Sequence, residues 1–244
     1  MHRPAVYWHM LPQKEQARKA IWTSVNPHTG RRRVDEAFPH DIRKRTLEHE
    51  MMIEFVNGSV WQVVGSDNFN SLVGAALGGI VYSEWALANP AARAYLRPII
   101  AESRGWQIFI TTPRGKNHAH NTFLAAQKNP DAFAERLTAL ESGVFTAQEL
   151  ERERAAYIDE FGQDMGAAMF EQEYMTSFDA AILGAIYGAE LRDAESAGRI
   201  CDVPHDPALP VHAVMDMGWS DDTAILFFQV AAGEVRIIDA YATH

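Results

Sequence analysis

Leu77-Gly-Gly-Ile-Val-Tyr-Ser-Glu-Trp-Ala86 is the stretch on which the fold turns. Its apolar run ends in a carboxylate, Glu84, and a helix signal follows at Pro90. A buried strand that carries an acid to the edge of a sheet places a group able to polarise an attacking water. Downstream, Trp106-Gln-Ile-Phe-Ile-Thr-Thr-Pro-Arg-Gly-Lys-Asn117 repeats the plan: an apolar strand runs into two hydroxyls, a proline and two cations. Two such strands, parallel and with their polar ends on one edge, describe an α/β fold built on a P-loop NTPase-like parallel sheet.

The 244 residues carry a formal net charge of -10, with 47% hydrophobic and 22% charged residues. This is an ordinary soluble composition, long enough for one or two domains. The acidic balance excludes a surface coated in nucleic acid but leaves room for a local basic groove. Cys201 is the single cysteine, which excludes an intramolecular disulfide and fits a reducing cytoplasm. With no partner for thiol chemistry nearby in sequence, it reads as a small linker residue. No apolar run approaches the roughly 18 residues of a membrane span, and the N-terminus lacks a signal-peptide pattern. A cytoplasmic protein without a membrane is expected.

Outward from the central stretch, residues 5–10 form a short strand-like run, and residues 13–22 read as a helix with Ala17, Ala20 and Ile21 on one face. Arg31, Arg32 and Arg33 lie in a turn and either meet phosphate or face solvent. Asn57-Gly58 between two β-rich runs predicts a hairpin. Pro90 opens a helix that Pro98 is expected to end. Helices are expected from Gly115 to about Lys128, over 146–161 with a Thr146/Glu149 capping box, and over 164–174, where Met165, Met169 and Phe170 are core. Glycines and prolines punctuate residues 178–210, with one short helix over 189–197. Three strands then follow over 211–215, 223–230 and 234–241, a meander.

Several residues bear chemistry. Glu84 either polarises water or is a solvated strand end. Ser83 can hold a metal-bound water but adds no charge. Thr111 and Thr112 either sense a γ-phosphate through hydrogen bonds or cap a helix. Arg114 and Lys116 can reach the phosphate of a nucleotide or of DNA, or sit in a wet loop. Asp216, followed by Gly218, Asp221, Asp222 and Thr223, offers oxygens to a hard cation. A two-metal nuclease needs two or three carboxylates around metals about 3.5–4 Å apart. An Asp-rich turn, or a phosphate loop of the actin or sugar-kinase kind, shares that pattern. Asp239 lies on a later strand, and spacing alone leaves open whether it shares Asp216's edge.

These residues resemble the large subunit of the tailed-phage terminase. The resemblance rests on Asn57-Gly-Ser59 with Val64-Gly-Ser-Asp-Asn68, Val81-Tyr-Ser-Glu-Trp-Ala86 with Asn89-Pro90, Thr111-Thr-Pro-Arg-Gly-Lys-Asn117 and Met215-Asp-Met-Gly-Trp-Ser-Asp-Asp-Thr-Ala224, with Phe170-Glu-Gln-Glu-Tyr174 between them. It covers nearly the whole chain. It implies that Glu84 is the Walker B catalytic glutamate and that residues 111–113 match the motif coupling hydrolysis to movement. It also implies that Asp216 is the first metal-binding aspartate of an RNase H-like nuclease. Catalytic roles thus fall to Glu84 and Asp216, nucleotide contacts to Ser83, Thr111, Thr112, Arg114 and Lys116, and metal contacts to Asp216, Asp221 and Asp222. The implied cofactors are ATP and Mg²⁺, or Mn²⁺ at the nuclease site. The implied partners are double-stranded viral DNA, the small terminase subunit and the portal protein, in the host cytoplasm.

The chain departs from the family at both ends. No Gly-rich loop ending in Lys-Ser/Thr occurs in it, so nothing supplies a backbone nest for the β- and γ-phosphates. The family's later nuclease acids have no counterpart before His244. The expected organisation is an ATPase domain over 1–178 lacking its phosphate-loop part, a linker over 179–210, and the first strands of an RNase H-like domain over 211–244. Such a chain is expected to be inactive alone, or nearly so. The alternatives are a degenerate prophage remnant without activity and a helicase-like NTPase; the meander after Asp216 argues against the second.

Overall fold

The longest apolar runs pair side by side. In a computed structural model that describes residues 4–72, 76–179, 188–217 and 223–242, β1 (Val6–Leu11), β4 (Val60–Gly65), β5 (Leu77–Ser83) and β6 (Trp106–Ile110) run parallel. β2 (Arg43–Leu47) and β3 (Met52–Phe55) extend the sheet antiparallel, giving the order β2-β3-β4-β1-β5-β6. The β3–β4 hairpin turns at Asn57-Gly58 as expected. Gly58 adopts φ 81°, and Asn57 Oδ1 accepts from the Ser59 amide at 2.9 Å. β2 has no counterpart in the sequence reading. Its Arg43-Lys-Arg45 lacks apolar alternation, because it is an edge strand that charge protects from further pairing.

Two cores sandwich the sheet. One face buries Trp8, Met10, Val64, Ile80 and Tyr82 beneath Ala92, Leu96 and Ile100 of α3 (Pro90–Glu102) and Ala119 of α4 (His118–Gln127). The other buries Tyr7, Leu11, Ile53, Phe55, Trp61 and Val63 beneath Ala17, Trp22 and Val34. Strands covered on both faces read as continuous apolar runs, which is why β1 and β5 were legible. The helix expected over 13–22 forms in two pieces, α1 (Lys14–Ala17) and a π-helical turn over Arg18–Trp22. The wider turn ends with Trp22 stacked on Trp61 at 6.2 Å and donating to Glu48 at 2.7 Å. Pro98 does not end α3. It sits on the solvent side, where water can take up the carbonyl its missing N–H leaves unpaired, while Leu96 and Ile100 anchor the helix on either side.

The arginine run serves structure at Arg32, which pairs with Asp35 at 2.9 Å and Glu48 at 3.3 Å just before α2 (Arg33–Ala37). Arg43, its side chain almost fully buried, reaches Asp35 at 2.8 Å and the carbonyls of Val34 and Phe38. Arg31 and Arg33 are exposed. α5 (Ala147–Phe161) carries the Thr146/Glu149 capping box, and α6 (Gln163–Glu173) follows.

The chain divides into two units, Met1–Ala185 and Ile186–His244. The second holds α7 (Gly188–Ser196) and the expected meander: β7 (His212–Asp216), β8 (Ala224–Ala231) and β9 (Glu234–Ala242), antiparallel throughout. Ala232 and Gly233, both at positive φ, make the tight turn between β8 and β9. Gln229 is buried and ties the preceding loop to β8, accepting from the Asp206 amide and donating to the Asp206 and Leu209 carbonyls.

Two stability predictions follow from these contacts. Arg32 first, then Arg43, hold the Asp35 carboxyl down at about 2. Its stabilisation is therefore present above the unfolded carboxylate range and is lost as pH falls toward 2. Asp35→Asn should cost about 1–2 kcal/mol at pH 7 and flatten the acid limb between pH 5 and 2 in urea unfolding; a variant with an unchanged acid limb would contradict the assignment. At Gly79, a Cβ would lie 2.2 Å from the Trp106 ring, which stacks on Tyr7. Gly79→Ala should cost about 1–3 kcal/mol and red-shift tryptophan emission as the ring is displaced, whereas a neutral variant would show that Trp106 is not seated there.

Candidate active site

β5 is buried along nearly its whole length and delivers Glu84 immediately past its end. Glu84 adopts φ 53° and ψ 42°, a left-handed conformation that costs a non-glycine residue roughly 1 kcal/mol or more. The turn is held from both sides. The Ala86 amide donates to Thr111 Oγ1 at 3.0 Å, and Asn117 Nδ2 donates to the Ala86 carbonyl at 2.9 Å. Within the same turn, Trp85 donates from its ring to Thr122 at 3.0 Å, and the His118 ring donates to the Trp85 carbonyl at 2.7 Å. The carboxylate of Glu84 has no hydrogen-bond or ion-pair partner among the described residues.

Parallel pairing sets Ser83 opposite Ile110, so the ends of β5 and β6 emerge together. They open on a cleft of about 320 Å³ lined by Glu84, Thr111, Thr112, Thr138, Glu173 and Tyr174, among others. The roles of the two threonines differ. The Thr111 hydroxyl accepts from Ala86 and donates to the Thr112 carbonyl at 2.9 Å, so it fastens the two strand ends together. Neither threonine caps α4, because Asn117 does so, accepting from the Ala119 amide at 2.9 Å. Thr112 keeps its hydroxyl for the cleft.

The remaining residues scatter around this centre. Ser83 Oγ lies 2.8 Å from His9 Nε2 across the β1–β5 pair. Burial pushes the His9 imidazole below its ordinary range, so it is neutral near pH 7. Arg114 is paired with Glu173 and also donates to the Pro113 carbonyl at 3.1 Å. Lys116 is outside the cleft: it lines a separate groove and pairs with Asp179 at 2.9 Å. His9 and Glu173 were not singled out from sequence. Glu173 stood within Phe170-Glu-Gln-Glu-Tyr174 without an assigned role, and the partnership of His9 with Ser83 depends on a strand register that spacing does not fix.

The cleft presents the carboxylates of Glu84 and Glu173, the second of them paired with Arg114. It suits the water-polarising half of a hydrolytic site. It offers no ready set of donors to the β- and γ-phosphates of ATP among the described residues.

In the second unit, Asp216 ends β7 and is exposed. Asp221 and Asp222 lie outside the described residues. Registers place Asp216 in one row with Ala224 and Ala242, and Asp239 in a row with Phe227 and Ala213. These rows are an odd number of residues apart along β7 and β8, so Asp239 faces away from Asp216. Among the described residues no cluster of three metal-binding side chains forms.

No family model matches the sequence, and no curated protein matches it. Solved structures do. The large terminase ATPase domain of Thermus phage P74-26 superposes with a TM-score of 0.52 at 18% identity, over 72% of this chain and 78% of that one. The large terminase of a thermophilic bacteriophage, solved in complex with ADP and with ATP-γ-S, matches with TM-scores of 0.53 at 13% identity. That match covers all of this chain, which spans 56% of the length of the phage enzyme. The chain has the fold of a large terminase ATPase domain.

Proposed function

We propose that the chain is part of a viral DNA-packaging ATPase in which Glu84 polarises the water that attacks the γ-phosphate of ATP. One observation carries this reading. Glu84, strained and unpartnered, is held at the end of a buried parallel strand, on a cleft shared with the end of the neighbouring strand, in the fold of a terminase ATPase domain. The charge of an unpaired carboxylate is available to a water. A preorganised turn keeps it in place without reorganisation during reaction. Thr112, on the facing strand end, is the hydroxyl placed to report the loss of the γ-phosphate to the rest of the unit. Bound ATP would supply the scissile phosphoanhydride. The donors that hold its phosphates are sought in a segment of the phosphate-loop kind, which this sequence does not contain.

The second unit extends the proposal to a metal-dependent endonuclease of the RNase H kind, with Asp216 as a Mg²⁺ or Mn²⁺ ligand. The antiparallel meander and the strand-end position of Asp216 support this extension. Double-stranded viral DNA, the small terminase subunit and the portal protein are the partners this function requires, in the cytoplasm of the host cell. No helix of the described residues is long and apolar enough to cross a membrane.

Phosphate release from ATP tests the proposal. By itself the chain should turn over near background. Joined at its N-terminus to a terminase phosphate-loop segment, it should gain turnover that Glu84→Gln lowers by about 10²–10⁴-fold with the fold intact. Turnover that survives Glu84→Gln would contradict the assignment.

A further inference from the structure

On the first unit a groove of about 540 Å³, distinct from the cleft at Glu84, is lined by residues of α4 together with Lys116, Arg136, Phe178 and Asp179. Its walls combine flat rings with cations. Phe178 packs against His120 at 4.7 Å and against Phe123 at 5.8 Å between ring centroids. Lys116 lines the groove. Arg136 lines the groove too, its guanidinium donating to the Thr176 hydroxyl and the Met175 carbonyl at 3.4 and 3.3 Å. An anion of the chain itself stands among these cations: Asp179, 2.9 Å from the Lys116 ammonium. Lys116, with His120 and Arg136 behind it, holds the Asp179 carboxyl below its usual range. The pair is well exposed at both partners, 56% and 72%, so it is screened and easily exchanged for a stronger anion.

We propose that this groove binds a nucleoside phosphate with an unpaired base, the ring against Phe178 and Phe123 and the phosphate between Lys116 and Arg136, in competition with Asp179. The volume lies in the range of small-ligand sites, about 300–1,000 Å³. Aromatic faces stack any base, and a phosphate offers more charge and more acceptors than the carboxylate it displaces. A base inside a duplex cannot reach Phe178, so the ligand is a free nucleotide or a single strand. That separates the site from duplex DNA held by its backbone. None of these residues is shared with the Glu84 cleft, so failure of either proposal leaves the other standing.

The test is fluorescence anisotropy of a labelled oligodeoxythymidine on the full chain, with unlabelled thymidine monophosphate, inorganic phosphate and duplex DNA as competitors. Lys116→Ala and Arg136→Ala should each weaken binding about tenfold. Phe178→Leu, which keeps apolar bulk but removes the ring, should weaken it roughly 5- to 100-fold. Asp179→Asn should tighten it about threefold or more. Displacement by thymidine monophosphate at concentrations comparable to the oligomer assigns the site to free nucleotides, and displacement by oligomer alone assigns it to single strands. The proposal is overturned by absence of binding to both probes. It is also overturned by displacement with inorganic phosphate or duplex as effective as with the oligomer, or by affinity unchanged in folded Phe178→Leu and Lys116→Ala. Circular dichroism of each variant verifies folding, and weaker binding by Asp179→Asn would equally overturn the competition.

Discussion

Parallel pairing of β5 with β6 is the constraint from which the site follows. Two parallel strands end on the same edge, so the acid after Ser83 and the hydroxyls after Ile110 emerge together without any long-range loop to position them. Thr111 then converts proximity into fixed geometry. Its hydroxyl accepts a hydrogen bond from the Ala86 amide and donates one to the Thr112 carbonyl. With Asn117 on the Ala86 carbonyl, the turn is bonded on both its donor and its acceptor. A left-handed Glu84 persists because the surrounding structure over-determines it. Beneath the turn, Tyr82, Trp85 and Phe109 form a close aromatic cluster, with the Arg93 guanidinium 4.7 Å over Phe109, so the strand ends rest on a stiff floor.

The electrostatics of that edge are one-sided. Glu84 and Glu173 both line the cleft, and Arg114 answers only Glu173. A polyphosphate brought to these groups alone would meet net negative charge. On the proposed reading this edge serves the attacking water and the sensing of phosphate rather than the holding of nucleotide. Ile108 and Ile110 of β6 are about half exposed, whereas Leu11 of β1 and Val63 of β4 are buried in one core with Trp22 and Val34.

Much of this was legible in the sequence for definite reasons. β1, β4 and β5 are covered on both faces and so read as continuous apolar runs. Asn57-Gly58 and Thr146 with Glu149 act through local hydrogen bonds that spacing reveals directly. What failed to show depended on tertiary context. β2 is an edge strand whose charges hide its period, and Pro98 is tolerated because it faces water. The division of labour between Thr111 and Thr112, the His9–Ser83 contact and the departure of Lys116 to a second groove all depend on which side chains meet across registers. Asp216 was visible as a strand-end acid. That Asp239 faces the other way follows only from the pairing of β7 with β8 and of β8 with β9.

Whether Glu84 and Thr112 truly look into one crevice can be measured on the chain itself, with Cys201 replaced by serine and cysteines placed at both positions. A short bis-maleimide should link the native pair efficiently within one molecule and lose that efficiency in denaturant. Failure to link the folded pair, with each single cysteine still reactive, would place the two strand ends on different rims and remove the basis for a hydrolytic site here.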